Sequence, residues 1–187
     1  MREAFRAQLP TLDAKELVFL DEAGSNISMS RTYGRAPVGQ RVQEYVPRNR
    51  GTVTTMIGAL TLTGLVAMMT VEGGTDAEVF ETFIEKCLVP ELHEGNIVVI
   101  DNVGAHRTPR VRELIESAGA RLVFLPPYSP EFNPIEECWS KVKEFIRALK
   151  PRSRTALDFV VALAMREVTP SDAQGWFGHA GYHVRSN

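Results

Sequence analysis

Two short apolar runs decide the fold: Leu17-Val18-Phe19-Leu20-Asp21 and, eighty residues on, Ile97-Val98-Val99-Ile100-Asp101. Four consecutive apolar residues with polar neighbours are the pattern of a strand covered on both faces. Each run ends in an aspartate. Outward from the first, residues 27–46 are polar, hold Gly34, Pro37 and Gly39, and predict a loop with weak strands. Residues 53–71 are rich in Thr, Val, Met and Leu, break at Gly64, and predict an antiparallel hairpin. Thr75 and Glu78 have capping-box spacing. They precede a helix with Phe80, Phe83, Ile84, Cys87 and Leu88 on its apolar side, ending near Pro90.

Outward from the second run, Thr108-Pro109 opens a helix that stops at Gly119, and residues 121–125 form a third short strand. A proline-rich loop, Pro126 to Pro134, leads to a helix over 135–149, and one or two further helices fill 155–177. A hairpin followed by β-α-β-α units predicts a mixed α/β sheet with helices packed on it. Strands joined by helices bring their C-terminal ends to one edge, where open α/β sheets place their chemistry. Asp21 and Asp101 share that edge.

Taken singly, either aspartate serves equally well as a turn or cap residue. As a pair they are more telling. Two carboxylates roughly 4 Å apart at an effective dielectric near 20 repel by about 4 kcal/mol, a large part of a domain's net stability. A proton or a cation relieves this. Mg²⁺ is commonly held by one or two carboxylates plus substrate phosphate. A third carboxylate is Glu136. In Asn133-Pro134-Ile135-Glu136 the pattern is Asn as N-cap, Pro at N1 and Glu at N3, so Glu136 also fits a capping box. At about 100° per residue, Ile135, Cys138, Trp139, Val142, Ile146 and Leu149 cluster on one buried face. Glu136 lies at the edge of that face. Glu137 points away, with Lys141 four residues on as a surface partner. Ser140, Lys143 and Arg147 share the side of Glu136, which sets positive charge beside the carboxylates.

Net charge is −2 and 44% of residues are hydrophobic, so this is a globular chain without global basicity. Basic character is local: Arg31 to Arg50 holds five arginines against Glu44, and Trp139 to Arg154 holds six Lys/Arg against Glu144. Neither window is more than a solvated surface by itself. No apolar run reaches the roughly 18 residues of a membrane span, and Met1 to Pro10 lacks the apolar core of a secretory signal. Cys87 and Cys138 both fall on apolar helix faces and read as buried thiols, in keeping with a reducing, cytoplasmic setting.

The strings VFLDEAG (18–24), RTYGRAPVGQ (31–40), VVIDNVGAH (98–106) and LPPYSPEFNPIEECWSKVK (125–143) closely resemble the catalytic domain of DDE transposases. The likeness is to the bacterial insertion-sequence branch of the Tc/mariner-like superfamily, and it runs from about Glu16 to Leu149. Thirty-four residues separate Asp101 from Glu136, a spacing that branch shares. The resemblance implies a ribonuclease H-like (retroviral integrase) fold: a mixed five-stranded sheet flanked by helices. Residues 16–150 would form the catalytic core, 151–187 a helical extension of it, and 1–15 a tail or linker remnant. It further implies that Asp21, Asp101 and Glu136 are catalytic and bind two Mg²⁺ ions, with Mn²⁺ as a substitute. The activity would be metal-dependent DNA strand cleavage and strand transfer. DNA is the implied partner, as transposon ends and a TA target, with Arg31, Arg35, Asn102, His106, Lys143 and Arg147 as candidate contacts. For Asn102 and His106 the alternatives are orienting a ligand or a loop hydrogen bond, and for Tyr128 shaping the loop before Glu136. The family's helix-turn-helix region is expected to be separate or missing, since about fifteen residues precede the first strand. A homodimer and a nucleoid-associated place in the bacterial cytoplasm complete these expectations. Two other readings compete: a hydrolytic nuclease of the same fold, and a non-catalytic remnant that binds DNA or a partner transposase.

Overall fold

The computed structural model describes residues 2–184. In chain order the main elements are α1 (Arg2–Gln8), β1 (Leu17–Ser25), β2 (Thr54–Thr61), β3 (Gly64–Glu72), α2 (Ala77–Phe83), β4 (Ile97–Ile100), α3 (Pro109–Ser117), β5 (Arg121–Phe124), α4 (Ile135–Leu149), α5 (Arg154–Glu167) and α6 (Pro170–His179). The strands form one sheet in the order β3-β2-β1-β4-β5. The hairpin pairs antiparallel with β1, and β4 and β5 continue parallel to it. This is the ribonuclease H-like mixed sheet flanked by helices.

The alternation of β1 sorts its residues between two cores. Leu17, Phe19 and Ala23 face the core built with Ile135, Trp139 and Val142 of α4, Val161 of α5 and Phe177 of α6. Val18 and Leu20 face the other, with Phe80 and Phe83 of α2 and Val111 and Ile115 of α3. Phe5 and Leu9 join the first core, where the Phe5 ring lies 5.3 Å from Phe132. Tyr182 donates its hydroxyl to the Phe132 carbonyl at 2.8 Å. Segments near both termini thus anchor the loop that precedes α4. Cys138 is buried as expected and Cys87 half-buried.

Several local expectations change. The first strand does not stop at Asp21 but runs on to Ser25. Pairing with β4 ends at Phe19–Val99, while β2 stays in register from Phe19–Leu60 to Ser25–Thr54. Residues 26–53 carry no strand, only turns and extended loop. Asp76, not Thr75, caps α2 by accepting from the Val79 N–H at 2.9 Å. That helix then widens into a π-turn over Ile84–Leu88 before Pro90. Thr108 caps α3 as its sequence predicts. No side chain caps α4: it starts after Pro134, and Asn133 makes only backbone bonds there. Leu149 is half-exposed rather than core, because the chain turns left-handed at Lys150, at φ +51°.

Candidate active site

The parallel register of β1 and β4, Phe19 opposite Val99, brings Asp21 level with Asp101 two residues on. Both side chains follow the alternation of Phe19 and Val99, toward the α4 face of the sheet. Helix α4 lies across that face and presents Glu136 from its first turn. The three carboxylates line one open cavity of about 490 Å³, together with Asn102, Tyr128 and Asn133. Expectation and structure agree on this convergence. Among the described residues no three His, Cys, Asp or Glu side chains already stand at ligand distances from one another.

The two aspartates are held in opposite electrical states. Burial pushes the Asp21 carboxyl up to about 7. A backbone N–H at Glu22 works against this, the charges of Glu136 and Asp101 add to it, and the indole of Trp139 eases it. Trp139 donates its Nε1–H to Asp21 Oδ2 at 3.1 Å. For Asp101, burial is outweighed by the hydrogen bond and charge of His106 and by the Val103 N–H, so its carboxyl sits below its ordinary value. His106 is 4% exposed, and its Nδ1 donates to Asp101 at 2.5 Å while Nε2 donates to Glu22 at 3.1 Å. Burial disfavours a charged ring, but those two carboxylates outweigh it and lift the imidazole to about 9. The ring also stacks on Phe80, 4.0 Å between centroids.

The other expected site residues separate. His106 offers no surface to DNA, since its ring is buried and both nitrogens are engaged with Asp101 and Glu22. Asn102 is exposed at the cavity wall. Lys143 and Arg147, two and three turns along α4 from Glu136, are half-buried. Arg31 and Arg35 are exposed in the loop 26–53 and do not line the cavity. That loop is tied to the turn after α4: Lys150 pairs with Glu44, and Arg152 Nη1 donates to the carbonyls of Ile27 at 2.8 Å and Met29 at 3.0 Å. The two basic windows of the sequence therefore meet at the far end of α4. The expected Glu137–Lys141 pair is absent: Glu137 bonds His179 at 2.5 Å and Lys141 bonds Asp172 at 2.6 Å. Helix α6, packed alongside, supplies both partners. Glu137 is accordingly half-buried, and Glu136 is the more exposed of the two.

A model of the family described as DDE superfamily endonuclease matches residues 16–158. The chain belongs to this family. Its fold is similar to that of the catalytic domain of Mos1 mariner transposase, with TM-score 0.56 at 12% identity over 98% of this chain and 91% of that one. It is also similar to the pre-cleavage Mos1 transpososome, 0.65 at 13% over 98% and 61%. A third likeness is to the Mos1 mariner paired end complex with Mn, 0.67 at 14% over 95% and 55%. In sequence, 48 residues are 35% identical to the uncharacterized protein y4pE/y4sA of Sinorhizobium fredii (strain NBRC 101917 / NGR234), 26% of this chain and 33% of that protein. The chain thus spans a third of that relative and between half and two thirds of the full Mos1 chains. No helix among the described residues is long and apolar enough to cross a membrane.

Three residues of this DDE endonuclease escape a reading by pattern alone. Trp139 reads as core, yet its N–H is the hydrogen bond that holds Asp21. Gly58 pairs with Asp21 across β1 and β2, and a Cβ there would stand 2.7 Å from the Trp139 ring. Its lack of a side chain is what lets the indole reach the aspartate. Glu22 points to the opposite face from Asp21 and meets His106 there. The signal for all three lay in pairing across the sheet, which no local spacing encodes.

Proposed function

We propose that this DDE endonuclease is the catalytic domain of a transposase that cuts DNA strands and transfers them by phosphoryl transfer. The observation that carries the reading is the convergence of Asp21, Asp101 and Glu136, from two adjacent strands and a helix, on one open cavity. The donor set fits a hard divalent cation, being all carboxylate oxygen with a buried amide beside it. Two Mg²⁺ ions, with Mn²⁺ as a substitute, would be held by these three residues; when bound they neutralise charge on the attacking and leaving oxygens.

The chain's own residues do the positioning. Trp139 fixes Asp21 from α4, and His106, anchored by Glu22, fixes Asp101 from the opposite face of the sheet. In the first step a water oxygen bonds to phosphorus as the P–O3′ bond breaks, and the water's proton ends on the leaving oxygen, giving a 5′-phosphate and a 3′-hydroxyl. In the second that 3′ oxygen bonds to a target phosphorus as the target's own P–O3′ bond breaks, and the hydroxyl's proton ends on the freed target 3′ oxygen. DNA would run from the cavity along Lys143 and Arg147 toward Arg31 and Arg35, with Asn102 at the wall. These contacts meet phosphates and so carry little sequence information. Residues 16–150 form the core in this reading and 151–187 extend it. Transposon ends, a TA target, a helix-turn-helix region for end recognition and a homodimer are the partners it implies.

The decisive experiment supplies pre-cut ends and target DNA with Mg²⁺ or Mn²⁺. Joined product from the wild type and none from Asp101→Asn is expected. Cleavage without joining would reduce the chain to a hydrolytic nuclease, and neither activity would leave a remnant that only binds.

A further inference from the structure

Asn133 is 5% exposed, lines the cavity with Asp21, Asp101 and Glu136, and has a side-chain oxygen with no hydrogen-bond partner. Its backbone is fully used: the N–H donates to Pro130 and the carbonyl accepts from the Glu136 N–H at 3.2 Å. The side-chain oxygen is left unsatisfied, with almost no exposed surface. A buried acceptor without a partner is destabilising by about 1–3 kcal/mol. The obvious local use, capping α4, is not made. An apolar residue of similar size would avoid the penalty.

The missing partner must be a donor. Phosphate oxygens only accept, so a DNA backbone in the cavity cannot satisfy Asn133 Oδ1. Of the carboxylates around it, the ionised ones only accept, and Asp21, though held toward its neutral form, bonds Trp139 and not Asn133. Mg²⁺ keeps several waters when bound by a few carboxylates, and those waters are strong donors. We infer that Asn133 is a positioning residue whose Oδ1 accepts a hydrogen bond from the hydration shell of the divalent cation. This inference rests on the proposed cation role of Asp21, Asp101 and Glu136. Asn133 would orient that shell and so fix where the open coordination positions point. Outer-sphere partners of this kind commonly change metal affinity by about 10–100-fold.

The test is calorimetric titration of Mn²⁺ or Mg²⁺ alone into the DNA-free protein, with thermal unfolding in EDTA alongside. Asn133→Leu should bind the cation 10–100-fold more weakly, while its metal-free midpoint is unchanged or higher because the orphaned acceptor is gone. Asn133→Asp, which keeps an acceptor, should bind within a few-fold of the wild type or more tightly. Asn133→Ala carries the same expectation for affinity should leucine fail to pack. Equal affinity in wild type and both apolar variants overturns the inference and leaves the cation reading standing. So does a loss in Asn133→Asp as large as in Asn133→Leu. A wild type that binds no cation, or an Asp21→Asn variant that binds as well as wild type, overturns the cation reading itself.

Discussion

Asp21 and Asp101 stand level on neighbouring parallel strands, yet the molecule treats them in opposite ways. Asp21 is half-buried under α4, faces two other carboxylates, and has only a neutral indole and a backbone N–H to soften its charge. Asp101 sits at a strand end beside a charged imidazole that is itself braced by Glu22. One carboxylate is thus held toward its neutral form, and the other is kept ionised by a resident positive charge. In the proposed reading such a site would offer a cation one ready anion and a second that ionises as the cation binds. The difference comes from position along the strands. Asp21 lies mid-strand, where helix α4 covers it, whereas Asp101 opens the loop from which His106 can fold back.

The hardest way to break this comparison is to remove a carboxylate. Asp21→Asn and Glu136→Gln should each abolish DNA cleavage and joining, by about 10³-fold or more if they act as ligands. Removing repulsion should leave the EDTA thermal midpoint unchanged or raised. A variant that keeps more than a tenth of wild-type cleavage would remove that residue from the site. The next effect down sharpens the Asp21 half. Trp139→Phe keeps an aromatic ring in the core but loses the N–H together with part of the indole's volume, and should weaken Mn²⁺ binding about 10–100-fold. Gly58→Ala should mimic it, since the added Cβ meets the ring at 2.7 Å, and should also be destabilising by roughly 1–3 kcal/mol through overpacking. Normal Mn²⁺ affinity in both variants would mean that the indole only packs.

How much of this was legible in the sequence follows the same division. The strands around Asp21 and Asp101, the hairpin break at Gly64, the Thr108 cap and the span of α4 were all readable, because apolar runs, turns and caps are local signals. The convergence of the three carboxylates followed from strand direction and helix phase. The braces did not. Trp139 to Asp21 spans 118 residues and His106 to Glu22 spans 84, and nothing near either residue marks the contact. The helix caps also misled. Thr75 and Asn133 have the right chemistry one position from where backbone geometry could use it, and both end with a buried oxygen unpaired. The weak strands expected in the 27–46 segment do not form, and Gly34, Pro37 and Gly39 break any run long enough to pair.

The pH dependence of metal-free stability tests the two halves against each other. Asp21 is raised from 3.8 to about 7, so the folded state holds a proton that the unfolded state has lost. Its share of stability falls as pH climbs between those values. His106 is raised from 6.5 to about 9, so its contribution is complete below 6.5 and lost as pH climbs through 9. By linkage the upper bounds are on the order of 4 kcal/mol for Asp21 and 3 kcal/mol for His106. Thermal midpoints in EDTA should therefore decline from mildly acid to alkaline pH in two stages. Asp21→Asn should remove the lower stage and His106→Gln the upper. One variant flattening both stages would show that the pair titrates as a unit.

The smallest expected effect concerns Glu137, the immediate neighbour of Glu136 and a residue of the same type. The first turn of α4 points them apart, Glu136 into the cavity and Glu137 toward His179 on α6. His179 is largely exposed, so this pair is wet and screened. Such pairs contribute roughly 0.2–1 kcal/mol. Glu137→Gln should therefore shift the thermal midpoint by about 4 °C at most (about 2–4 °C per kcal/mol at this chain length) and leave cation affinity and strand joining at wild-type levels. The small loss should vanish in high salt, where the surface charge is screened. Glu136→Gln under the same conditions should lose activity and keep its midpoint. If instead Glu137→Gln removes cation binding while Glu136→Gln keeps it, the phase of α4 is wrong by one residue. The cavity would then have to be rebuilt around the other face of the helix.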